Sequence, residues 1–111
     1  WVWFVFPQLK GLGHSYNSKY YGIGSIDEAK AYLDDDVLRK RLVAVCMELM
    51  SQVEDHGLTA RRVLGGIDAM KVKSCLTLFD AVSPNDIFGK CLDACYSGER
   101  DFRTLDLLRS Y

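Results

Sequence analysis

DDDVLRKRLVAVCMELMSQVEDHG, residues 34–57, is the stretch on which the reading of the fold turns. Leu38, Leu42, Val45, Leu49 and Val53 repeat at four and three residues, the spacing that gathers side chains on one face of an α-helix. Arg39, Lys40, Glu48 and Glu54 occupy the other faces. Asp34, Asp35 and Asp36 end one helix and cap the next, because a carboxylate accepts from the unpaired N–H groups of a first turn. Gly57 stops the helix, since glycine takes the left-handed closing conformation without a Cβ clash.

Working outward, Ser25-Ile26-Asp27-Glu28 reads as a capping box that opens a short helix over residues 26–33. Downstream, Thr59 caps a single short turn over residues 60–64, broken by Gly65-Gly66. Asp68 is expected to cap a helix running to Val82 that buries some of Val72, Cys75, Leu76, Phe79 and Val82. Ser83-Pro84 makes a break and a fresh start, proline being favoured at a first helical position. The helix that follows carries Ile87, Phe88, Cys91, Leu92 and Cys95 and ends near Gly98. Asp101 or Thr104 opens a last one with Leu105, Leu107 and Leu108. The expected fold is a mostly α, compact single domain over residues 1–111. It comprises about five helices with an aromatic N-terminal segment and a long Gly/Tyr-rich loop.

Composition narrows the function classes. Over 111 residues, 14 Lys and Arg face 15 Asp and Glu, a net charge of -1 that argues against bulk electrostatic binding of nucleic acid. The apolar run over residues 1–6, which none exceeds, is far short of the roughly 20 residues that a membrane helix needs. Cys46, Cys75, Cys91 and Cys95 all fall in apolar, helix-like stretches, which suits reduced thiols in a cytoplasmic protein better than a disulfide framework. No Cys-x-x-Cys spacing or His-x-x-x-His partner accompanies them, so no metal site and no cofactor is expected. The sequence starts at Trp1 inside Trp1-Val2-Trp3-Phe4-Val5-Phe6, which looks like a core segment whose upstream neighbour is missing. The chain is then expected to be a monomer, or to self-associate through that aromatic patch.

The standard catalytic signatures fail one by one. Gly11-Leu12-Gly13 begins like a dinucleotide fingerprint, but Tyr16 stands where the third glycine belongs. There is no phosphate loop, nucleophile elbow or His-Glu-x-x-His helix. The loop over residues 11–24 is the remaining candidate. Gly11 and Gly13 leave backbone N–H groups accessible, and Lys10, Ser15 and Lys19 suit an anionic group. Tyr21 or Trp3 can stack on a planar ring, and Glu28 stands beside the loop to bind a sugar hydroxyl or act as general base. The plainer reading makes the loop a long packed turn and Glu28 a capping acid. Two function classes therefore stand: a binder or enzyme for a nucleotide-like anionic small molecule of the NAD or ADP-ribose type, and a non-catalytic protein-interaction module.

Several blocks are shared with a known family. Residues 3–9, WFVFPQL, with Gly11-Leu12-Gly13, Tyr21-Gly22-Ile23, Glu28-Ala29 and Tyr32-Leu33, resemble the domain of unknown function 1810 family. Lys71 with residues 74–79, SCLTLF, and Gly98-Glu99-Arg100-Asp101 with Thr104-Leu105 resemble its second half. The resemblance implies a small, mostly helical protein without an established activity or assigned catalytic residues. It also implies an N-terminal helical segment ahead of the Trp-rich run. A fainter similarity, in the acidic residue on a helix start after a loop, is to the NADAR family of helical proteins that process NAD or ADP-ribose.

Overall fold

The apolar stripe on residues 38–53 is helical and its caps are those the sequence announces. In a computed structural model, which describes Ile23, residues 26–57 and residues 59–109, the helix runs Asp36–His56. Asp35 caps it, its carboxylate accepting from the Val37 and Leu38 N–H groups at 3.0 Å. Gly57 closes it at φ 64°. Calling this helix α2, the others among the described residues are α1 (Ile26–Asp34), α3 (Ala60–Leu64), α4 (Gly66–Val82), α5 (Ile87–Tyr96) and α6 (Phe102–Leu108). The chain is mostly α. The expectations for residues 1–22, for Gly24 and for Ser25 fall outside the described residues.

α4 is the central element. It packs against α1, α3, α5 and α6, and Val72, Cys75, Leu76, Leu78 and Phe79 have no solvent exposure at all. α5 bridges it to α2 through Phe88, Cys91 and Leu92, also fully buried. Leu42, Cys46 and Leu49 supply the contribution of α2 to the same core, while Leu38, Val45 and Val53 are only partly buried. Tyr32 of α1 stacks at a tilt on Phe79 (5.3 Å between centroids), and Phe79 on Phe88 (5.6 Å). Burial lifts the Tyr32 hydroxyl pKa to about 12. A radius of gyration of 13.0 Å is that of one close-packed domain of this size.

Two helix starts differ from expectation, and a third decides between the two caps the sequence offers. α4 opens two residues before Asp68, on Gly65 at φ 87°, a conformation that favours glycine. Asp68 instead lies in the first turn, where its charge complements the helix dipole. α5 opens at Ile87, not at Pro84. Asp86 takes the cap because its carboxylate accepts from the Ile87 N–H at 2.7 Å, and Pro84 is left in the turn beside Asn85 at φ 63°. For α6 the cap is Asp101, which accepts from both the N–H and the hydroxyl of Thr104 (3.0 and 2.6 Å).

Candidate functional site

Of the residues expected to bind a ligand, Trp3, Lys10, Gly11, Gly13, Ser15, Lys19 and Tyr21 lie outside the described residues. Glu28 is described. It stands exposed on the first turn of α1, whose inward face is Ala29 and Leu33.

The described residues bring together a different site, between α2 and the start of α5. Side chains spaced by four on a helix form ridges with grooves between them. On α2 one ridge is Asp36, Lys40 and Ala44, and the next is Arg39, Val43 and Met47. With Asp86 and Ile87 of the α5 start, these ridges enclose an open groove of about 520 Å³. Met47 is 58% exposed and Val37, on the same helix, is also 58% exposed. The floor is apolar and the closed end is charged.

That charged end is built on Asp86. Besides capping α5, its carboxylate accepts from Arg39 Nη2 at 2.7 Å and from the Ser83 hydroxyl at 3.0 Å. The Arg39 hydrogen bond holds the Asp86 carboxyl below the ordinary aspartate range, with the Ile87 N–H and Ser83 helping against the opposing effect of burial. Arg39 also borders a second open depression of about 290 Å³, shared with Lys30, Asp34 and Ser83, so its side chain lines both hollows. The basic run Arg39-Lys40-Arg41 is thus split: Lys40 and Arg41 are solvated, whereas Arg39 is committed to Asp86.

Two other clusters are structural in character. Arg100 ties the α5–α6 connection to α4, its Nη1 donating to the Gly98 carbonyl at 2.6 Å and its Nε to Asp80 at 3.3 Å. The four cysteines are free thiols; Cys91 lies 3.9 Å from Cys95 and donates to the Cys46 carbonyl at 3.9 Å. Burial raises the Cys75 thiol pKa, and a hydrogen bond donated to Cys91 together with burial raises that of Cys95. Protonated thiols are poor nucleophiles and poor ligands. Among the described residues no group of three or more His, Cys, Asp or Glu is arranged to hold a metal.

With this geometry in view, the comparisons decide the family. Residues 1–108 match the family model described as Protein of unknown function (DUF1810). The chain belongs to that family. A solved structure of similar shape is that of the conserved hypothetical protein Rv1873 from Mycobacterium tuberculosis, 41% identical, with a TM-score of 0.90. The match covers 98% of this chain and 76% of that one. No curated protein matches the chain. The function of the family is not assigned, and neither description names a nucleotide, so the NAD or ADP-ribose reading gains nothing from them.

Sequence reasoning passed over Asp86 and the outward residues of α2. A signal for the latter was present. Val37, Val43, Ala44 and Met47 are apolar letters off the Leu38–Val53 stripe, more than a purely solvated face needs.

Proposed function

We propose that this chain is a non-catalytic interaction module that docks a partner on the outward face of α2. The observation that carries the reading is the grouping of Val43, Ala44 and Met47 of α2 with Ile87 around an open groove, with Val37 exposed on the same helix. Singly exposed apolar residues are ordinary on any protein; a contiguous set rimmed by charge is what marks a contact surface. The rim here is Asp36, Lys40 and the Arg39–Asp86 pair. An apolar floor with a charged rim suits a helix laid into the groove, whose anchors repeat at three and four residues.

The test is site-specific photocrosslinking in cells of the source organism. A benzophenone amino acid at Met47 should give a discrete adduct, and the same group at exposed Arg103 of α6 should not. Equal, diffuse labelling from the two positions would remove the reading.

A further inference from the structure

We infer that the groove on α2 receives the same groove of a second copy of this chain, the two helices crossing antiparallel about a two-fold axis at Ala44. The inference rests on the proposed interaction role and names its partner.

The argument is one of shape and charge on a single ridge. Lys40, Ala44 and Glu48 follow one another at intervals of four along α2, and all three are exposed. The commonest helix packing lays such ridges into each other's grooves at about −50°. In this chain the groove adjoining that ridge is open, being the hollow between Asp36-Lys40-Ala44 and Arg39-Val43-Met47. If the ridge of a second copy enters that hollow, symmetry sends the first copy's ridge into the equivalent hollow of the second. The packing is isologous and closes after two copies.

Antiparallel pairing at Ala44 puts Lys40 of each copy beside Glu48 of the other, twice. Ala44 meets Ala44, a small residue where the backbones approach most closely, and Met47 enters the hollow between Lys40 and Val43. Two alternative arrangements fail on charge. Moving the centre one residue pair toward Leu42 sets Asp36 against Glu48, and parallel pairing sets Lys40 against Lys40 and Glu48 against Glu48. Gln52 Nε2 bonds one Glu48 oxygen at 2.9 Å and orders the carboxylate. Centred antiparallel at Ala44, the ridge is therefore complementary to itself in charge.

Sedimentation equilibrium of the purified chain tests this. The mass should rise with concentration from 12.6 kDa toward twice that value, less so at high salt. Lys40→Glu and Glu48→Lys should each weaken association about tenfold or more, since two attractive pairs become repulsive. The double reversal Lys40→Glu/Glu48→Lys should return it to near wild type. A mass fixed at 12.6 kDa up to millimolar concentration overturns the self-pairing, as does a double variant no better than the singles. If the purified chain is monomeric yet the crosslinker at Met47 captures a different protein, the self-pairing fails and the interaction role survives. If no adduct forms at all, both fail.

Discussion

Replacing Gly89 with alanine sets two known effects against each other. Gly89 lies inside α5, where alanine is favoured over glycine by roughly 1 kcal/mol. A Cβ built there would meet Asp80 Oδ1 at 2.7 Å, too close for any real contact. Asp80 must turn away, and its other oxygen is the partner of Arg100 Nε at 3.3 Å. The pair is partly exposed, with side-chain accessibilities of 31% and 22%, so its loss costs about 0.5–1 kcal/mol, discounted for solvent screening. Gly89→Ala should thus be close to neutral in the wild type. In an Asp80→Ala background the obstacle is gone, and the same change should stabilise by about 1 kcal/mol. Urea denaturation of the four proteins gives the coupling directly. Equal stabilisation in both backgrounds would refute the claim that Asp80 and Gly89 are held in mutual contact.

Leu42→Ala should cost about 2–5 kcal/mol, because Leu42 is fully buried at the centre of the core; a loss below 1 kcal/mol by urea denaturation would place it elsewhere. Asp86 has its pKa lowered by Arg39, so its contribution is complete above the unfolded aspartate value near ~3.9 and fades as pH falls through the folded value. The stability gap between wild type and Asp86→Asn should accordingly close on acidification, and a gap independent of pH would contradict the assignment. Glu28→Gln should change stability by less than about 1 kcal/mol, since glutamine also completes a capping box. Thermal melting with ADP-ribose or NAD settles the ligand reading beside it: a wild-type shift that the variant loses would revive a site at Glu28.

α2 was legible because Leu42 and Leu49 recur at helical spacing on its buried face and its ends carry Asp35 and Gly57. α4 was less so, since every residue from Ser74 to Phe79 is buried and a helix surrounded by protein shows no polar face. Its start was misplaced because Gly65-Gly66 reads as a break, whereas the left-handed conformation of Gly65 makes it a cap. Pro84 was the strongest local signal before α5 and concealed Asp86, whose decisive partner, Arg39, lies 47 residues away. The groove followed the same rule. Val43, Ala44 and Met47 were plain as letters, but that nothing described covers them is a tertiary fact.

Two methionines allow the central claim to be measured inside one molecule. Met47 of α2 is 58% exposed and Met70 of α4 is 69% exposed, so in the isolated monomer both thioethers should oxidise at comparable rates. Oxidative footprinting in intact cells, read by mass spectrometry as the ratio of Met47 to Met70 sulfoxide, reports whether the α2 face is covered. An occupied docking surface predicts Met47 oxidising several-fold more slowly than Met70, with the difference erased by Lys40→Glu. Equal oxidation of Met47 and Met70 in the cell would contradict it.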